Sequence, residues 1–411
     1  MLAQTDPGQL GEAGWGVLFA PDTPPEVREA LMPLLGLRRM QSDSRYREFA
    51  PGEGYRPRDT ATHFLSRQGI GPGRSDPAVV PYYLLIVGSP EQIPYRFQQQ
   101  LDVQYAVGRI HFDQPAMYND YAQSVVASET RSIPQSRSIA IFSPKHDSDL
   151  HSTLTTEGFV RPVANDLLER GGGWSVTQAL GTSATKERLA GLLNGTAPPA
   201  LLFAAAHAAV FREQDPRFLA RQGALICQDW PGPGLAIPVM SEMLFGAEDV
   251  IGTQFGLLGM VAMLWASFSA GVGTSVGPSA SRPTLPMVAR LPQQLLAAGS
   301  LAVLGFADRI RGFSFATEKP VEVYRAAMVR AVGSILAGDR VGYATQRFGA
   351  SYAELAGELN GMLESIRAGL DCDRSELSRL WTATSDMRNL TLLGDPAVRL
   401  PAAVASGPQT T

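Results

Sequence analysis

The side chains able to do chemistry are few enough to enumerate, since 411 residues hold only five histidines and two cysteines. His207 stands out by its place. It follows the apolar run LLFAAA (201–206) and precedes two small residues, so it should emerge at the carboxyl edge of a central strand, where open α/β sheets bind ligands. Sixty residues on, the run MLWAS carries Ser267 to the same kind of edge, with the small turn FSAG behind it. A histidine on one strand tip, a nucleophile on its neighbour and the backbone N–H groups around Ala208 and Ser267 are the parts of acyl-transfer catalysis. A capped strand end and an ordinary turn serine are the alternative reading of the same residues.

The other candidates are weaker. His63 lies in a helix-like polar stretch, His111 just after a strand, and His146 and His151 in a charged loop after SIAIFS. Only His146 and His151 approach a metal-ligand spacing, and no Cys or Glu pattern surrounds them, so neither a metal nor an organic cofactor is expected. Cys227 sits inside the apolar run ALICQD and reads as an inert buried thiol, while Cys372 in GLDCDRSE has acidic neighbours that make it a poor nucleophile. Around Ser269 the sequence SFSAG lacks the first glycine of a serine-hydrolase elbow.

These residues need a scaffold, and the composition describes one. With 45% hydrophobic and 18% charged residues and a net charge of −4, the chain reads as a globular protein without the basic excess that nucleic acid demands. Two cysteines make no disulfide framework and the start lacks a signal-peptide pattern, so a cytoplasmic setting is expected. The uncharged run 250–281 is long enough for a membrane helix, but its glycines and serines and the lack of flanking basic residues argue for a buried strand and a small-residue turn.

Short apolar runs alternate with helical periodicity, the pattern of a doubly wound, mainly parallel α/β sheet. Strands are expected at WGVLFA (15–20), YYLLIVG (82–88), QYAVGRI (104–110), SIAIFS (138–143), ALLFAAAH (200–207), ALICQD (224–229), MVAMLWAS (260–267) and LAVLGFAD (301–308). Helices are expected after Pro292, across 321–337, and from a capping box at Ser351 and Glu354 onward. A seam is expected between 113 and 137, which divides the chain into a smaller subdomain (1–133), a larger domain (134–402) and a disordered tail (403–411).

The chain resembles the gingipain, caspase and CHAT group of cysteine peptidases. The resemblance rests on the order of YLLIVGSPEQIP, LDVQYAVGRI, the His207 strand, the Ser267 turn, LAVLGFADR and LTLLGDPAVRLP across residues 82–401. It implies a caspase-hemoglobinase-like domain beside a gingipain-like α/β subdomain, a His-Cys dyad that cleaves peptide bonds, protein or peptide substrates, and an activating partner left open. Two positions depart from the pattern. Ser267 stands where the nucleophilic cysteine belongs, and Ala208 where a glycine follows the histidine. A serine there fits an inactive form made by substitution, a natural pseudopeptidase acting as a binding scaffold, or a working serine variant; the intact surroundings favour the first. For specificity, Asp229 and Asp308 imply an acidic pocket for Arg or Lys, whereas Arg309 and Arg311 would suit an acidic residue, and the sequence leaves both open.

Overall fold

The computed structural model describes residues 5–401 apart from 51, 72–74, 132–135, 171, 196, 251–255, 274–282, 284 and 312–317. The tail expected at 403–411 and much of the uncharged run lie outside the described residues. Among them, no helix is long and apolar enough to cross a membrane.

Ten strands form one sheet: β1 (Trp15–Phe19), β2 (Tyr46–Glu48), β3 (Tyr83–Val87), β4 (Ala106–Ile110), β5 (Ser138–Ser143), β6 (Ser175–Leu180), β7 (Leu201–Ala205), β8 (Val261–Trp265), β9 (Ala302–Phe306) and β10 (Leu390–Gly394). Their order is β2-β1-β3-β4-β10-β9-β8-β7-β5-β6. Most central strands are buried along their whole length, which is why they read as continuous apolar runs rather than alternating ones. The strands β2 and β6 were not foreseen, because each is partly exposed and polar.

All neighbours pair in parallel except β9 and β10, which are antiparallel. The sheet therefore consists of two halves running in opposite directions, and each half presents its carboxyl ends at its own edge. The last strand of the chain, β10, lies against β4 of the first half, so the halves share one sheet and one continuous core. Where β4 meets β10 the backbones come so close that a Cβ on Gly108 would stand 2.1 Å from the carbonyl oxygen of Gly394, a contact only glycine permits.

A buried ionic cluster closes this junction. The Asp395 carboxylate accepts hydrogen bonds from Trp15 Nε1 (2.9 Å), Arg38 Nε (2.6 Å) and the Ala397 backbone N–H (3.0 Å). Arg38 reaches on to Glu129 through Nη1 (2.9 Å) and Nη2 (2.7 Å). Burial alone would discharge this guanidinium, but the two carboxylates outweigh it and hold Arg38 firmly charged. Glu129 ends the helix Pro115–Thr130, whose Tyr121, Ala122 and Val125 are fully buried. This helix is the helical stretch that opens the expected seam, and the Gly-Asp-Pro motif serves structure. The arginine of VGRI does too: Arg109 is wholly buried and donates to Gln98 (2.9 Å) and to the carbonyls of Gly88 (2.8 Å) and Ile93 (2.6 Å).

One helix start differs from expectation. Ser351 does not cap anything; it lies inside the helix Val341–Arg367 and is buried there. Ala344 and Phe348 pack into the core and extend the helix through the capping-box pattern, an example of tertiary burial overriding a local signal.

Removing Arg38 leaves two buried carboxylates without a counter-charge. Arg38→Met should lower stability by about 3–5 kcal/mol, measured by urea unfolding, which is the cost typical of breaking a buried ion pair from one side.

Candidate active site

The strands β8, β7 and β5 lie side by side, and the segments leaving their carboxyl ends each deliver one polar group. Trp265 and Ala205 are register partners, and the Ala206 N–H donates to the Trp265 carbonyl (3.3 Å). Ser267 and His207 therefore stand at matching positions, two residues past their strands. The third group is Asp149, from the loop after β5, which was not anticipated. Its carboxylate hydrogen-bonds His207 Nε2 and also caps the helical turn Leu150–Thr153 by accepting the N–H groups of His151 (3.2 Å) and Ser152 (3.1 Å). Burial would raise this carboxyl, yet the His207 contact and the Ser152 bonds outweigh it and hold Asp149 well below the usual carboxylate range. The sequence signal was available: an Asp shortly after a strand, followed by residues that open a helical turn, is an N-cap pattern at the edge where ligands bind.

Two devices fix the backbone around these groups. The His207 carbonyl accepts from Ile226 (2.8 Å) and the Ala209 N–H donates to Ala224 (2.8 Å), so Ala208 between them directs its own N–H and C=O away from that pairing. The run ALICQD is thus no member of the main sheet. Only Leu225–Ile226 is extended, in a small ribbon with Leu244–Phe245, and it serves to pin the histidine segment. Cys227 lies buried beside it, where burial and the Asp229 charge push its thiol up, away from reactivity.

On the other side, Phe268 adopts a left-handed backbone (φ 58°), unusual for a bulky residue and costly in strain. The Ser269 hydroxyl holds that turn by accepting from Phe306 (3.0 Å) and donating to the Leu264 carbonyl (2.8 Å), which ties β8 to β9. Ser267 is left facing a cavity. Its hydroxyl accepts the Ile310 N–H (3.0 Å) and lies 3.4 Å from the Ile310 carbonyl, so its partner is the Ile310 backbone rather than His207. Among the described residues, neither Ala208 nor Ser267 donates its backbone N–H to a protein acceptor.

His207 and Ser267 line the same cavity of about 360 Å³, together with His146, His151, Trp265, Arg309, Ile310 and Arg311. His146 is buried, with its ring near-parallel to that of His207 at 6.4 Å and edge-on to Trp230 at 5.0 Å. Desolvation and the neighbouring His207 lower its pKa, so it packs against the site as a neutral ring. The expected acidic pocket needs correcting. Asp229 accepts the backbone N–H of Lys186 (2.7 Å) at a helix start away from the cavity, and Asp308 accepts the Arg309 N–H (2.7 Å) and faces a second cavity. The ionic side chains on the wall of the His207 cavity are arginines. No group of three or more metal-ligating side chains occurs among the described residues.

No protein-family model matches the chain, and no curated protein matches it. Solved structures do. The Arg-specific cysteine proteinase gingipain R superposes with a TM-score of 0.56 at 11% identity, covering 95% of this chain and 78% of that one. The complex of the pro- and mature domains of Porphyromonas gingivalis RgpB matches at 0.56 and 12% identity, covering 94% and 79%. The fold is that of gingipain R. The two opposed half-sheets are thus those of a caspase-like peptidase fold, and the fold is what this likeness shows.

Within the gingipain fold, Asp149 couples the site to stability. Its folded pKa is depressed, so the ionised carboxylate stabilises fully above the ordinary carboxylate range (about 4), and that contribution fades as pH falls toward the folded value. Asp149→Asn should therefore lower the melting temperature at pH 7, and the gap to the parent should close progressively below about pH 4. An unchanged gap at acid pH would disprove the coupling.

Proposed function

We propose that the chain carries an endopeptidase site of the caspase and gingipain kind, in which the residue at 267, as a cysteine, is the nucleophile. In that reaction the thiolate attacks the carbonyl carbon of a peptide bond. The His207 ring takes the thiol proton and passes it to the departing amine. Water then cleaves the thioester, with the proton again carried by His207. The N–H groups of Ala208 and Ser267 hold the oxyanion, and Asp149 bonds one ring nitrogen so that the other faces the nucleophile. No metal or organic cofactor enters these steps. The substrate is a protein or peptide, and a thiol nucleophile suits a reducing, cytoplasmic setting. The observation that carries this reading is that His207 and position 267 end adjacent parallel strands and line one cavity, with Asp149 bonded to the histidine.

With serine at 267 the site lacks the ionisable thiol, and the hydroxyl is engaged by Ile310. The chain as written is inactive on this reading. That engagement also favours the second reading, a pseudopeptidase that holds a peptide or partner in the cleft without cutting it.

Ser267→Cys should cleave fluorogenic peptides ending in Arg, Lys, Asp or Glu, and adding His207→Ala should reduce the rate by about 10²–10⁴-fold, the usual contribution of a positioned proton carrier. Turnover that persists without His207 overturns the dyad. Failure of Ser267→Cys to turn over any peptide, while peptide binding is retained, supports the scaffold instead.

A further inference from the structure

A second and larger cavity, about 710 Å³, adjoins the one that holds His207, and Arg309 and Arg311 line both. It lies where the carboxyl end of β9 meets the start of β10, at the junction of the two opposed half-sheets. Arg96 comes from the helix Tyr95–Leu101, Arg388 from the end of the helix Arg374–Arg388, and Arg309 from the shared wall. Among the described residues, the guanidinium groups of these three have no ionic or hydrogen-bonding partner, unlike those of Arg28, Arg67 and Arg325. Four arginines against two aspartates line this depression, an excess of positive charge on a chain of net charge −4. Guanidinium forks bind carboxylates in two-point fashion. Trp381, 54% exposed, and Tyr352 stand on the same wall and offer ring faces.

We propose that this cavity binds an acidic stretch of polypeptide carrying an aromatic or apolar residue, and that this stretch flanks the bond presented to position 267. The inference rests on the peptidase reading for its orientation, but not for the binding itself. Two observations favour a polypeptide over a small, densely charged anion. The two cavities share the wall formed by Arg309 and Arg311, so an extended chain that crosses this wall reaches both. Arg96, Arg309 and Arg388 come from three separate elements around the depression, a spacing that suits carboxylates distributed along a chain better than one compact polyanion.

The test uses the full chain as written, with serine at 267. Fluorescence anisotropy would compare three labelled twelve-residue peptides, each with one tryptophan: one rich in Asp and Glu, its Asn and Gln counterpart, and its Lys counterpart. The acidic peptide should bind about tenfold or more tighter than the amide one in low salt, with the advantage shrinking as salt is added. The double variant Arg96→Gln, Arg388→Gln should abolish that preference, while Trp381→Ala should weaken binding of acidic and amide peptides alike. Equal affinity for the acidic and amide peptides would overturn the proposal. So would tight binding of inorganic tripolyphosphate that depends on Arg96 and Arg388 without binding of the acidic peptide, which would mark a small-anion site. If Ser267→Cys proves active, the double variant should raise KM for acidic substrates and leave kcat unchanged. If Ser267→Cys is silent while the charge preference holds and depends on both arginines, the peptidase reading fails and the acidic-polypeptide site stands.

Discussion

The architecture turns on a single buried carboxylate. Asp395 joins the start of the chain through Trp15, the first helical layer through Arg38, and the turn that follows the last strand. Strands β9 and β10 are the only neighbours in the sheet that run against each other, and this cluster sits just beyond their pairing. The cluster itself ties together parts of the first half, and the second half is joined to it by the five β9–β10 register pairs, the Tyr121 hydroxyl on the Leu301 carbonyl (2.9 Å) and the shared core. An ionic cluster so deeply buried is costly to form; here it fastens the turn after β10, which lies beside β4 on one side and β9 on the other.

That placement has a chemical consequence. Because the halves are opposed, the carboxyl ends of β5, β7, β8 and β9 come to the edge where the first half presents the amino ends of its strands. The His207 cavity opens among the former, and the arginine-lined cavity opens at the meeting line. A polypeptide lying across the junction would meet the position-267 turn and the Arg96 and Arg388 side chains in one sweep.

Local rigidity at position 267 has its own causes. A left-handed Phe268 and the doubly bonded Ser269 hydroxyl are expensive features for a turn. They persist because the ends of β8 and β9 over-determine the backbone. The result is a side chain at 267 held facing a cavity, next to a histidine whose orientation is set by a carboxylate. Such a turn retains its form whether the side chain bears oxygen or sulfur, so the proposed cysteine would fit the same backbone.

Much of this was legible in the chain. Continuous burial writes itself as uninterrupted apolar runs, so most of the central strands could be read directly, and with them the strand-end positions of His207 and Ser267. The half-exposed edge strands β2 and β6 leave no such trace, and the Ser351 pattern misled because packing of Phe348 outweighs a local cap. Sequence by itself determined the α/β class, the alternation of elements and the two residues at matching strand ends, because these depend on short-range patterns of polarity. Tertiary structure alone decided that Asp149 backs His207, that Asp229 turns to a helix start and Asp308 to the neighbouring cavity, that Arg309 and Arg311 form the shared wall, and that β10 returns to join the halves. Each of these depends on contacts between residues tens to hundreds of positions apart, and no local pattern encodes which distant partner a charged side chain will find.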